Sequence, residues 1–233
     1  MKKILLTALC VAGMAASQTT QAGYLTVSAS IGGAPTGTER VNFDNLSPGT
    51  TATGLTATGP NGSLIVDIAA DGQVASGSVS GKYAAPYLSG GNGTGFGSQS
   101  DGADTTPYLT TGLGSVTLTF GAAQQYMGLL WGSVDDYNKL SFYRTDGSFI
   151  ESITGLDVLA SPNGDQGVNG TLYVNINSTE AFGYVVASST QYAFEFDNVA
   201  YNETPVGVPD GGSLLGVFAL SLIGMATCAR RRR

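Results

Sequence analysis

The chain has 233 residues with 10 basic and 17 acidic side chains, two cysteines and no histidine. Without histidine, His-ligated metal centres and every nucleophile–His catalytic pair are excluded. The acidic balance opposes binding to a phosphate backbone, so nucleic acid is excluded as a partner.

Residues 1–22 open on Lys2 and Lys3, continue with an apolar run over 4–16, and close on Thr20-Gln21-Ala22. A short basic region, an apolar stretch of this length and a small terminal residue predict a secretory signal peptide, used by the Sec translocon and cut between Ala22 and Gly23. The apolar run is too short for a permanent span. Leu9 stands before Cys10 where a lipoprotein needs a small residue, which argues against lipidation there.

Residues 23–207 are the size of one domain with a sizeable core. Glycine is abundant, at 34 residues, but short apolar alternations recur at 24–31, 40–43, 64–68, 74–79, 116–120, 126–131, 140–143, 149–153, 172–176, 183–187 and 192–199. Val116, Leu118 and Phe120 share one face while Thr117 and Thr119 take the other. Leu172, Val174 and Ile176 oppose Tyr173 and Asn175, and Phe194 and Phe196 oppose Glu195 and Asp197. A period of two, broken by Gly, Asn, Asp and Pro, predicts strands. About ten of them predict an all-β domain, an antiparallel β-sandwich of jelly-roll type. The Gly-rich stretch 81–114 is read as a long surface loop tied down by Tyr87 and Tyr108, because connections of this length are functional or mobile.

Two clusters are candidate sites. Asp44 and Asn45 follow a predicted early strand, and Asp197 lies in the last one; Phe-Asp-Asn occurs in both segments. First and last strands of jelly rolls commonly run side by side, so these oxygens are candidate ligands of a structural calcium ion, which takes six to eight. The bland reading is that both are strand-end residues satisfying their own turns. Trp131, Asp135, Asp136 and Tyr137 are candidates for lining a sugar-binding cleft, the rings stacking on pyranose faces. The competing reading is a polar turn capped by an Asp side chain. Adjacent residues on a strand face opposite ways, so Asp135 and Asp136 are a poor acid–base pair. Glu151, Asp157 and Glu195 are the alternative partners for a carboxylate in that cleft. A carboxylate glycosidase is the one enzyme class that tolerates the lack of histidine, but no catalytic residue is assigned and a non-enzymatic protein is expected. Six Asn-x-Ser/Thr sequons, at Asn45, Asn61, Asn92, Asn169, Asn177 and Asn202, are treated as coincidence in a chain with bacterial export signals.

The tail has three parts. Val208-Pro209-Asp210-Gly211-Gly212 is followed by the uncharged stretch 211–229 and by four arginines, 230–233. Nineteen helical residues reach roughly 28 Å, close to a bilayer's hydrocarbon thickness. The arginines hold that end in the cytoplasm and put the domain outside. A plain anchor is one reading. A glycolipid-anchor signal is another, which the basic end opposes. The third is a sorting signal: Pro209 and the two glycines keep an extended, accessible segment at the membrane face. This tail resembles the PEP-CTERM class of sorting signals in its VPDSG variant, with Gly212 standing where that variant has Ser. The blocks 102–120, 126–143 (YMGLLWGSVDDYNKLSFY) and 189–199 (STQYAFEFDNV) resemble those of exosortase-dependent surface proteins that carry a GSVDxYNxLxFY block and a closing FEFDNV strand. The resemblance implies recognition and cutting by an exosortase at the motif in segment 208–233, membrane contact only through the C-terminal helix before cutting, and a final place at the cell surface or in the extracellular matrix. It carries over no catalytic residues.

Loss of both ends takes both cysteines and, with Asp210 kept, leaves four basic residues against seventeen acidic ones, a net charge of 4 − 17 = −13. The expectation is a structural matrix protein associated with exopolysaccharide, with a carbohydrate-binding jelly-roll module as the alternative.

Overall fold

The computed structural model describes residues 18–30 and 32–207. The body of the expected signal peptide, the Val208–Gly212 motif, the apolar stretch 211–229 and the arginines lie outside the described residues. Among the described residues no helix is long and apolar enough to cross a membrane.

The domain is all-β and antiparallel. In chain order its first strands are β1 (Gln18–Ala22), β2 (Leu25–Ser30), β3 (Glu39–Val41), β4 (Leu55–Thr58), β5 (Ser63–Ala69) and β6 (Gln73–Ala75). The short strands β7 (Tyr87–Leu88), β8 (Gly102–Ala103) and β9 (Tyr108–Thr110) follow. Then come β10 (Ser115–Gly132), β11 (Asn138–Tyr143), β12 (Phe149–Thr154), the single turn of helix α1 (Gly155–Val158), β13 (Leu172–Ser189) and β14 (Glu195–Asn202).

Strands β10 and β13 are each 18 residues long. The sequence pattern predicts two short strands in place of each. Their pairing is carried through a bend by register shifts between Thr119, Gln124 and Tyr126. Bulges of this kind let a strand turn without giving up its ladder, and the small residues Gly121, Ala122 and Ala123 leave room for the bend. On one side of the bend, β10 pairs with β5 (Val116↔Ile68) and β13 pairs with β11 (Val185↔Phe142). On the other side, β10 pairs with β14 (Trp131↔Phe196) and β13 with β2 (Ile176↔Val27). The two halves form layers that face each other across one apolar core. Val66, Leu118, Phe142 and Val185 come from one layer, and Val27, Leu129, Val174 and Val199 from the other. Val116, Leu118 and Phe120 point inward as the alternation predicts.

The outer face of the second layer departs from that alternation. Tyr173 and Asn175 of β13, and Glu195 and Asp197 of β14, are also buried. The stretch 81–114 covers them. Its Leu88 and Phe96 join Tyr126, Leu130, Tyr173 and Ala200 in a second apolar cluster. Tyr108 is fully buried, with its hydroxyl donating to the Gly77 carbonyl at 2.6 Å. Tyr87, the other expected tether, is half-buried at the β7–β8 pairing. The long connection is therefore a built roof over one sheet, and it places two carboxylates where a two-faced strand would have left them in water.

An early strand and the last one also meet. β3 lies beside β14, in register Val199↔Val41 and Tyr201↔Glu39. β1, which falls in the segment expected to leave with the signal, forms a hairpin with β2 at Ala22↔Leu25. The turn residue Gly23 has φ +48°, and a methyl group there would stand 3.0 Å from both carboxylate oxygens of Glu151.

Candidate functional site

The loop joining β10 to β11 carries the sugar-cleft candidates. Val134 is its buried anchor. Its N–H donates to the Gly170 carbonyl at 2.9 Å and its carbonyl accepts from Gly164 at 3.0 Å. Gly155 packs so closely on the Asp135 carbonyl that any side chain there would collide with it. Held in this way, Asp135 and Tyr137 face a cleft of about 610 Å³, while Asp136 points to solvent and does not line it. The backbone turns here, with the Asn138 N–H donating to the Asp135 carbonyl at 3.3 Å, while the Asp135 side chain accepts from the Tyr137 hydroxyl.

Trp131 is misplaced by the sequence reading. It is fully buried and stacked on Phe194, with ring centroids 4.3 Å apart, so it cannot offer a face to a ligand. The residue sits on the inward face of β10, and the alternation that predicts the core already puts it there. The aromatic groups that do line the cleft are Tyr83, Tyr137 and Tyr192. Tyr83 is held by a small turn whose Val79 and Tyr83 main chains bond at 2.9 and 3.1 Å, and its ring stands edge-on to Tyr108 at 6.4 Å. Lys82 of the same turn also lines the cleft. Tyr83 and Lys82 escape sequence reasoning because they lie in a Gly-rich stretch with no periodicity.

Of the three proposed partners for Asp135, the fold selects Glu195. Glu151 accepts instead from the Tyr24 and Leu25 N–H groups, at 2.7 and 3.1 Å. Asp157 accepts from the Thr154 N–H at 2.8 Å, at the start of α1. Glu195 opens β14, opposite Gly132 of β10 and Thr110 of β9, at the base of the cleft. Its Oε1 accepts from the Ala84 N–H at 3.0 Å, and its Oε2 has no partner.

Burial pushes the Glu195 carboxyl up to about 8, with the Asp135 charge adding to the rise. At neutral pH Glu195 is therefore mostly protonated and a hydrogen-bond donor. Asp135 is also raised, by burial above all and then by Asp136, against the lowering effect of the Tyr137 hydroxyl that donates to it at 2.7 Å. Burial and the Asp135 carboxylate both raise the Tyr137 phenol, so it stays a donor. At the rim, the hydrogen bond between Tyr192 and Asp71 raises the phenol and lowers the carboxyl. The cleft thus offers three phenol rings, one acid held neutral, one carboxylate and one ammonium group. That set can hydrogen-bond a hydroxyl-rich ligand and pack against its apolar faces.

The calcium candidates lie elsewhere, where β3 meets β14. Asp44 and Asp197 are brought to one cluster, together with Asp104, which stands just after β8 in the roof. Asn45 is not part of it. Its side chain accepts from the Thr58 N–H at 2.9 Å and donates to the Thr56 carbonyl at 2.8 Å, so it braces β4 and not its own turn. Among the described residues no group of three or more His, Cys, Asp or Glu side chains converges so as to hold a metal ion. Asp104, Gln99 and Thr106, which complete the polar cluster, have no marker in the sequence because only the folded roof carries them to β14.

Gly23 and Ala22 lie on the β1–β2 hairpin. No protein-family model matches the chain, and no curated protein matches it.

Proposed function

We propose that this is an exported, exosortase-processed protein of the cell surface or extracellular matrix, whose jelly-roll sandwich binds a neutral polysaccharide in the cleft over Glu195. The observation that carries the binding reading is the cleft of about 610 Å³, with Tyr83, Tyr137 and Tyr192 around Asp135 and Glu195. Phenol rings supply flat apolar faces, and the Tyr137 hydroxyl with the Asp135 carboxyl supplies polar partners, which suits sugar hydroxyls. The strongly acidic balance of residues 23–207, four basic against sixteen acidic side chains, opposes an anionic polymer, so a neutral one is favoured. Export and processing rest on the sequence of the two ends: the basic and apolar residues of 1–22, and the Pro-Asp motif, apolar stretch and arginines of 208–233. In this reading the exosortase is a partner during export, and the mature domain holds or organises exopolysaccharide.

The domain acts as a binding module rather than an enzyme. Glu195 is 2% exposed and one of its oxygens is engaged by the Ala84 N–H, so it serves as part of the cleft floor and not as a group that reaches a ligand. A glycan array followed by calorimetry on the strongest hit tests the reading. Tyr137→Ala and Tyr192→Ala are each expected to weaken binding by about tenfold or more, corresponding to roughly 1–3 kcal/mol for losing an aromatic stacking face, with the fold intact. Binding unchanged in the double variant would overturn it.

A further inference from the structure

We infer that residues 81–106 of the roof form a lid, clasped to β14 by one proton shared between Asp197 and Asp104, so that opening the lid releases that proton. From Tyr108 onward the roof is strand β9 of the main sheet and stays in place. The clasp does not rest on polysaccharide binding.

Asp197 of β14 is fully buried, and Asp104 of the roof is 2% exposed. Their carboxyl groups are hydrogen-bonded to each other. Ionised carboxylates only accept, so such a bond needs a proton on one of the two. The surroundings decide which one carries it. Asp104 Oδ1 already has two donors, the Thr106 N–H at 2.8 Å and the Thr106 hydroxyl at 2.7 Å. Asp197 Oδ2 has only the Gln99 amide, at 3.4 Å. Asp197 is thus the acid of the pair and Asp104 its acceptor. The remaining oxygens, Asp104 Oδ2 and Asp197 Oδ1, are buried and find no other donor among the described residues.

No side-chain cation competes with that proton. The Arg40 guanidinium of β3 is turned to the Phe96 ring, 5.7 Å from its centroid, and to the Pro35 carbonyl at 3.0 Å. Burial above all raises the Asp197 carboxyl well above the ordinary range; the Asp104 charge and hydrogen bond come next, the Asn198 N–H opposes them, and Asp44, just after β3, adds to the rise. Tyr173 of β13 and Tyr108 of β9 are themselves raised by burial and stay protonated, so neither supplies a charge. Two buried carboxylates without a counter-charge would be costly, and a shared proton removes one of the two charges.

The polar contacts of the lid with β14 follow a short line. Ala84 donates to Glu195, Asp104 meets Asp197, and Gln99 reaches both Asp197 and Asn198, whose amide donates to Gln99 Oε1 at 2.8 Å. Consecutive strand residues ordinarily face opposite ways. Here a register shift lies opposite Leu129, between Gly128↔Ala200 and Leu130↔Asp197. Asn198 has φ +53° at this bulge, a conformation asparagine tolerates, and both neighbours reach the lid. The lid's own strands, β7 and β8, pair with each other and with no strand of the main sheet. A segment held by side chains rather than by a shared ladder opens before the sheet does. It carries Lys82, Tyr83 and Ala84 of the cleft lining, so its opening takes that wall away.

With the lid closed, Asp197 keeps its proton. With the lid open it meets water and ionises near its ordinary 3.8. Closure is therefore strongest below that value and weakens as pH rises toward the raised one, the opening equilibrium growing about tenfold per pH unit. The test is hydrogen exchange read by mass spectrometry on peptides from 85–106, between about pH 5.5 and 7.5. It uses the full chain, kept in mild detergent because of its apolar 211–229 segment. Asp197→Asn gives Asp104 an amide donor that pH cannot remove. The chemical pH dependence of exchange and the Glu195 proton are common to both chains, so the ratio of their rates reads the clasp alone. That ratio, parent over variant, is expected to rise about tenfold per pH unit. Should Asp197→Asn fail to fold, Asp104→Asn, whose amide donates to Asp197, is expected to give a rising ratio as well. A ratio that stays flat with pH would overturn the shared proton. Lid amides that exchange no faster than those of residues 116–120 in the parent chain would overturn the lid.

Discussion

Replacing Glu195 by Gln isolates the electrostatic cost of the cleft floor. In the unfolded chain this carboxyl ionises near its ordinary 4.5, and in the fold burial moves it to about 8. Below the lower value it is neutral in both states and costs nothing. As the pH rises from there, the unfolded chain gains free energy by ionising while the folded one does not, so stability falls until the folded pKa is passed and then levels off. Each unit between the two values is worth about 1.4 kcal/mol, which sums to on the order of 3 kcal/mol at pH 7. A glutamine side chain at this position keeps an oxygen for the Ala84 N–H and has no charge to lose. The Glu195→Gln variant is therefore expected to match the parent chain near pH 4.5, exceed it by on the order of 3 kcal/mol at pH 7, and gain little more beyond pH 8. Urea unfolding at four pH values, with equal m-values as the control, measures this difference. The raised carboxyls of Asp44 and Asp197 are common to both proteins and cancel. A difference that stays flat with pH would refute the reasoning, because it would mean Glu195 is solvated or paired in the fold.

Trp131→Ala is expected to destabilise the domain by about 3–5 kcal/mol, since the indole is fully buried against Phe194 and leaves a cavity. Trp131→Phe should cost much less, because it also removes a buried indole N–H without a partner; thermal melts of the two variants check the ranking. Cutting after Ala22 would turn the Gly23 nitrogen into an ammonium group beside Glu151, whose carboxylate already accepts from the Tyr24 and Leu25 N–H groups. Glu151→Gln should then lower the stability of the cut protein by about 1 kcal/mol, and that of a chain retaining residues 1–22 by less. Equal losses in the two forms would sink this account.

Much of the domain was legible in the sequence, for a physical reason. A strand buries alternate residues, so Val116, Leu118 and Phe120 announce both a strand and its inward face. The same rule places Trp131 in the core, on the face it shares with Met127 and Leu129. The acidic balance and the lack of histidine are also properties of composition, untouched by folding.

Tertiary structure decided which polar groups leave water. Glu195 and Asp197 occupy the face of β14 that alternation assigns to solvent, and only the Gly-rich roof between residues 81 and 114 buries them. That roof has no period, so the sequence does not reveal that Ala84 will meet Glu195 or that Asp104 will meet Asp197. The strand pattern reports the contacts a residue makes through its own sheet. It is silent on what a distant, irregular segment will lay across the other side, and both candidate sites were made by that covering.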